Sequence, residues 1–486
     1  MSSEAAPSAR PGAAGTRSVV AGLMLAMLLA ALDQNIVAVA MPRIGADLSG
    51  FDLLAWVVSA YLIASAVATP IFGKLGDLIG RRQALSIAIG LFTAGAVGCA
   101  LAPGMLALVA ARAVQGVGGG AIVALVQAAV ADVVPPRERG RYQIYFSTMH
   151  MVASLAGPVV GGLLTEHLSW HWIFWLDVPL GLLALLVARR ALARSARQRE
   201  RSEVRIDYAG AVLLTGGLVA LLVGVTRVGM GVSFSAPLQM VLYGAAALLL
   251  AAFFWWEQRA PEPLVPLSLF ALPTVRLSCF ILFVCYMQLV ALTVLAPLRS
   301  QMVLGAAADA AALRLLPLTL AGPFGAWLAG RHMLRSARTR GLQAGGAGIV
   351  AAGLGVMTCM PAWLEPALLA LIGVGIGMQL PTSLVAIQNA VPAAQVGIAT
   401  ASAAFFRSLG AAIGLAVLGA LLVALLGAGG AGSGAGAMRQ LAAGAAPALM
   451  APAHAAFDVV FLACAASAAT SFVAALFLPH TSLREA

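Results

Sequence analysis

The chain has 486 residues, 61% of them hydrophobic and only 10% charged, with a mean hydropathy of +0.97. A soluble domain carries about 25% charged residues, so this surplus of apolar side chains excludes a water-soluble globule and points to a polytopic membrane protein. The net charge of +11 does not argue for nucleic acid. The basic residues gather in short loops between long apolar runs, as in the cytoplasmic loops of membrane proteins.

Residues 1–17 are polar and Pro/Ala-rich, and a cytoplasmic tail with no cleavable signal is expected there. A spanning helix needs about 20 apolar residues. Fourteen stretches qualify, at 18–41, 54–73, 84–102, 105–131, 142–165, 172–190, 207–227, 238–256, 274–297, 308–330, 342–360, 365–388, 396–426 and 455–478. An even number places both termini on one side. The basic loops at Lys74/Arg81/Arg82, Arg137/Arg139/Arg141, Arg189 to Arg205 and Arg331 to Arg340 alternate with nearly uncharged connections such as Ala102-Pro103-Gly104. Both termini are therefore expected in the cytoplasm.

Asp33 lies well inside the first segment, roughly 22 Å from the inner face when counted from Ser18 at 1.5 Å per residue. A carboxylate there costs at least ~2.5 kcal/mol. It must face a cavity or a partner, either as a proton-exchanging group or as half of a structural ion pair. The turn Gly73 to Gln83 packs three glycines, one Asp, one Lys and two Arg between two apolar runs. Glycine permits close approach and unusual backbone angles there. Asp77, Arg81 and Asp132 can form a charge cluster joining that turn to the inner end of the fourth segment, a latch if it exists in one conformation alone.

Arg112 is placed about 10 Å below the outer end of the fourth segment, near the level of Asp33, and is its expected partner. The glycines that follow it, through Gly120, permit close helix packing. Gly157, Pro158, Gly161 and Gly162 combine small residues at a spacing of four with a helix-bending proline. Ordinary packing and a transport-biasing bend are both open readings. The sixth segment opens on Trp170, Trp172 and Trp175, read as an interfacial aromatic belt. Asp177 is again deep, and His171 nearby makes a titrating pair one reading.

The seven-Arg segment from Arg189 to Arg205 separates a first six-helix block from the rest, and is read as a topological anchor. Arg314, with Asp309 nearby, and Arg407 are further intramembrane charges; Arg407 has no acidic neighbour in its own segment. Gly427 to His454 reads as a flexible outer loop. The five cysteines lie in apolar segments and read as buried thiols. No phosphate loop, HExxH, GxSxG or metal-spaced Cys/His cluster is present, so the sequence carries no visible enzyme or ATP-driven apparatus.

These stretches resemble signatures of the major facilitator superfamily. Gly73 to Gln83 is similar to its loop signature, Arg112 to Gly120 to its fourth-helix motif and Gly157 to Gly162 to its antiporter motif. Leu32 to Pro42, with fourteen segments, resembles the drug:proton antiporter group. Pro263 to Phe270, Leu313 to Pro317, Val396 to Ala399 and Arg407 to Gly410 extend the likeness over most of the chain. The resemblance implies an all-α fold of two six-helix bundles, 18–190 and 274–478, with two inserted helices in 207–256. A basic loop at 191–206 and a tail at 479–486 complete it. It further implies alternating access and export of amphipathic drugs, aromatic or cationic, driven by a proton gradient with no cofactor, from a bacterial inner membrane. By similarity Asp33 is the proton-coupling acid and Arg112 its modulator, with Asp177 a second proton site or a local pair. Gly73, Asp77, Gly80, Arg81 and Asp132 would form the cytoplasmic gate, and Asn35, Gln115, Arg314 and Arg407 the substrate pathway. Asn35, Ala38, His171 and Asp177 depart from the family pattern. The expected partners are a small molecule, protons and lipid, without nucleic acid, for a monomer. Export of a single endogenous metabolite is the alternative, and a non-transporting sensor or scaffold a remote one.

Overall fold

The computed structural model describes residues 13–48, 54–133, 139–193, 207–229, 232–233, 235–261, 263–306, 308–336, 339–392, 395–428 and 449–479. Their regular structure is helical. In chain order the α-helices are α1 Ala13–Asp47, α2 Leu54–Leu78, α3 Arg81–Ala100, α4 Met105–Val133, α5 Arg139–His167, α6 His171–Ala193 and α7 Tyr208–Gly229. There follow α8 Pro237–Glu257, α9 Pro273–Met302, α10 Ala308–Ser336, α11 Arg340–Met357, α12 Glu365–Ala390, α13 Val396–Ala428 and α14 Met450–Leu476. Each expected segment falls on one of them. Among the described residues ten stretches, in α2–α4, α6–α9 and α12–α14, are by length and composition long and apolar enough to cross a membrane. In lipid a backbone must satisfy its own hydrogen bonds, which selects helices throughout.

The helix ends follow local chemistry. Pro237 opens α8 and Pro273 opens α9, where a missing N–H costs nothing. Gly80 sits at φ +87° between α2 and α3, a conformation that side chains with a Cβ rarely adopt. No neighbour crowds it, so the turn needs glycine for its backbone angle alone.

The two halves repeat one packing pattern. In the first, α1 packs on α4, α5 and α6, α2 on α4, and α3 on α4 and α6; in the second, α9 packs on α12, α13 and α14, α10 on α12, and α11 on α12 and α14. Small residues permit the tightest of these approaches. A Cβ at Gly116 or Gly120 would overlap the backbone of Tyr61 or Ser65 on α2, and one at Gly373 or Gly377 the backbone of Leu318 or Gly322 on α10. Between halves, α2 packs on α13 and α5 on α10. The helices α7 and α8 pack on each other, and α7 also touches α2 and α13. Val67, Leu214, Leu218, Phe253 and Phe405 form a buried cluster at that seam. Glu257 Oε1 accepts hydrogen bonds from the N–H groups of Leu264 (3.0 Å) and Val265 (3.1 Å), fixing the chain after α8.

Three expectations are corrected here. Trp170 is fully buried, with its indole N–H donating to Asp47 at 3.0 Å, so Trp172 alone of the first two tryptophans faces outward. Cys359 is exposed; the other four cysteines are buried. His171 stacks on Trp170 with ring centroids 3.7 Å apart, and among the described residues the hydrogen-bond partner of Asp177 is Gln115 and not His171. The termini at 1–12 and 480–486, most of the basic loop at 194–206 and the stretch 429–448 lie outside the described residues.

Candidate transport site

Helices α1, α4 and α6 bring three deep charges together. Arg112 Nη1 donates to both oxygens of Asp33, at 2.8 and 2.9 Å, and to Gln115 Oε1 at 2.8 Å. Arg112 Nε donates to the Val57 carbonyl at 3.3 Å. Gln115 Nε2 donates to Asp33 Oδ1 at 3.0 Å and to Asp177 Oδ2 at 3.1 Å, so one amide joins two carboxylates. Asp177 Oδ1 has no hydrogen-bond partner among the described residues. All four side chains are buried: Asp33 and Asp177 are 1% exposed, Arg112 2% and Gln115 0%.

The guanidinium also lies over aromatic faces. Its carbon is 4.4 Å from the Tyr61 ring centroid and 5.9 Å from that of Phe174. The Cys99 thiol lies 3.5 Å from Gln115 Oε1. Gln115 follows Arg112 by three residues and so shares its helix face, the signal that places it in the cluster. Tyr61 and Cys99 carried no such signal, because aromatic and thiol side chains in apolar helices usually only pack.

Beside this cluster a cavity of about 840 Å³ lies between the halves. Its wall is mostly apolar and comes from both sides: Met27, Val58, Leu62 and Phe146 from the first half, Leu282, Leu298, Leu315, Leu384 and Val423 from the second. Arg112 and Tyr61 line it, as do Gln34 and Asn35, whereas Asp33 and Asp177 do not. The acids therefore sit behind the wall, with Arg112 between them and the cavity. Arg407 on α13 lines the opposite wall, its guanidinium carbon 5.0 Å from the Tyr286 ring centroid.

At the end holding the Gly73–Gln83 turn, α2 and α13 are in close contact. Arg81 Nη2 pairs with Asp77 at 2.6 Å and Arg81 Nη1 donates to the Gly73 carbonyl at 3.2 Å. A Cβ at Gly73 would strike Ala401, and one at Gly397 would strike both Arg81 and Asp77. The latch partners on α13 are thus small residues that sequence reading passed over. Asp132 ends α4, but its side chain lies outside the described residues, as does that of Pro158. Gly157 and Gly161 fit α5 against Asn35 and Ile36 of α1, while Gly162 meets nothing within 4 Å.

Arg314 does not line the cavity. It belongs to a second buried group, also unforeseen, away from the basic loops: Arg299 lies 3.6 Å from Glu365 and 3.8 Å from Asp458, with Arg314 in electrostatic reach of Glu365. Asn35 and Arg407 are on the cavity as expected, and Gln115 is behind it.

Two helical halves of like construction close on an apolar cavity with buried charges at its wall, the architecture of a polytopic helical membrane protein. Comparison with known proteins agrees. The sequence profile of the Major Facilitator Superfamily matches residues 23–415, and the chain belongs to that superfamily. It is 33% identical over 412 residues to an uncharacterized MFS-type transporter of Mycobacterium tuberculosis, across 84% of this chain and 60% of that relative; the chain thus spans under two thirds of the relative's length. It is 30% identical over 413 residues to Multidrug resistance protein 3 of Bacillus subtilis, across 84% of this chain and 79% of the other. The crystal structure of a human organic anion transporter shares the fold, with a TM-score of 0.66 at 14% identity over 95% of this chain and 99% of that one.

Proposed function

We propose that this chain is a proton-coupled exporter of amphipathic small molecules. It would work in a bacterial inner membrane with both termini, and so the basic-loop end, in the cytoplasm. The observation that carries this is the sharing of Gln115 by Asp33 and Asp177 behind Arg112. Two buried carboxylates face one guanidinium, so the cluster is neutral when it holds one proton.

Arg112 couples the two halves of the task, since it pairs with Asp33 on one side and lines the cavity on the other. Protonation of Asp33 removes the charge that holds Arg112, and cargo leaving the cavity changes what the guanidinium faces. The Asp77–Arg81 pair against Gly397 describes a state closed at the basic-loop end. Alternation then requires this contact to part while the opposite end closes. The names of the Bacillus relative and of the resembled antiporter group support export of drugs, and the wide apolar wall suits several amphipathic shapes.

The test is proton movement in everted vesicles. Addition of cargo should release a proton gradient through the wild-type protein, and Asp33→Asn should abolish this at normal expression. Intact coupling in Asp33→Asn would overturn the assignment.

A further inference from the structure

The cavity carries two charged side chains among its described lining residues, Arg112 and Arg407, and no carboxylate. Arg112 is engaged by Asp33 and Gln115. Arg407 differs: no carboxylate lies within ion-pair distance of it among the described residues, and the Tyr286 ring is its neighbour. It is half-buried, on the wall of an apolar chamber between two membrane-embedded halves. Resting on the reading of this cavity as the cargo site, we infer that Arg407 is an anion-binding residue. The preferred cargo is then an ionised aromatic acid rather than an organic cation.

Charge balance on the cavity wall favours an anion. A guanidinium stays charged in any protein setting. An unpaired charge in the membrane interior is costly and marks a functional partner. Aromatic or cationic cargo is what the resemblance implies, and a cation would call for an acid such as Asp33 on the cavity wall. The structure removes that ground, since Asp33 is behind the wall and satisfied by three hydrogen bonds. A cation in the chamber would meet Arg407 with no acid to offset it. A carboxylate would meet a fork of donors that fits it in two-point geometry. Tyr286 holds the guanidinium by its ring face, and the same ring gives an aromatic cargo a surface to stack on. Ser408 and Asn35 add neutral groups that tolerate an anion.

Purified full-length protein in an uncharged detergent provides the test, with pyrenebutyrate, pyrenebutanol and pyrenebutyl-trimethylammonium as fluorescent probes of one shape and three charges. Wild-type protein should bind the carboxylate about tenfold to a hundredfold more tightly than the alcohol, the range of a charge-assisted hydrogen bond. The ammonium should bind more weakly than the alcohol. In Arg407→Gln the carboxylate-to-alcohol affinity ratio should fall about tenfold or more, and Arg407→Lys should keep part of it. A wild-type preference for the ammonium, or an unchanged ratio in Arg407→Gln, overturns the inference. Should Arg407→Gln not fold, the wild-type order of the three probes decides alone. If alcohol and ammonium bind and are exported from vesicles while the carboxylate is not, the export reading stands and the anion reading falls. If none of the three binds, both fall.

Discussion

Removing Arg112 leaves two buried carboxylates without their cation, and removing Asp33 takes away the guanidinium's direct partner, so the two changes should not add. In Arg112→Gln the Asp33 oxygens lose donors at 2.8 and 2.9 Å and keep only Gln115. In Asp33→Asn the guanidinium keeps Gln115 Oε1 and the Val57 carbonyl but loses its direct ion-pair partner, with Asp177 the carboxylate left in the cluster. With charge centres roughly 4 Å apart and an effective dielectric constant of about 20, the attraction is ~4 kcal/mol. Breaking one side of such a buried pair costs about 3–5 kcal/mol, because the remaining charge is uncompensated. The double variant Asp33→Asn/Arg112→Gln faces two neutral amides across the same gap, and each can satisfy the other. The expected coupling energy is therefore about 3 kcal/mol, with the double variant no less stable than either single one. SDS titration of the purified protein in mixed micelles, followed by tryptophan fluorescence, gives the four unfolding free energies of the cycle. A coupling below about 0.5 kcal/mol, the level of distant independent sites, would refute the pairing.

Gly73→Val and Gly397→Val should each open the basic-loop end, since the added atoms strike Ala401 or the Asp77–Arg81 pair. Spin labels on the neighbouring ends of α2 and α13 should move apart, and transport should slow about fivefold or more while cargo affinity changes little, because closure and not binding is impaired. A large loss of affinity, or no change in label distance, would contradict the latch. Cys359 is the exposed thiol at the end of α11. A membrane-impermeant maleimide should label it in intact cells if both termini are cytoplasmic. Labelling only after permeabilisation would reverse the orientation.

The ion pair was legible because an Asp and an Arg in apolar helices stand out, and a rise of 1.5 Å per residue sets both at one depth. Depth does not give rotation, however. Which face of α6 turns inward depends on its packing against α1 and α3, so the choice of Gln115 over His171 by Asp177 could not be read from spacing. Trp170 misled for a related reason: a tryptophan at a helix start suits an interface, and its burial depends on Asp47, far away in the chain. The Arg299, Glu365 and Asp458 group was missed because Arg299 and Glu365 sit near the ends of their helices, where a charge usually meets headgroups or water, and Asp458, about two turns into α14, joins them only through packing. The latch illustrates the opposite limit. Asp77 and Arg81 announce themselves, but Gly397 and Ala401 carry no chemistry in isolation and matter only for what they leave room for.

The pair α7 and α8 has a mechanical consequence. Because α7 touches both α2 and α13, one of the two seams between halves has a helix from outside both bundles laid across it, whereas α12, which touches both α5 and α10, is itself a member of the second bundle. Rocking of the halves must shear the Val67, Leu214 and Phe405 contacts on the bridged side but meets no such drag on the other. The bridged seam then behaves as a door's hinge edge and the α5–α10 seam as its free edge.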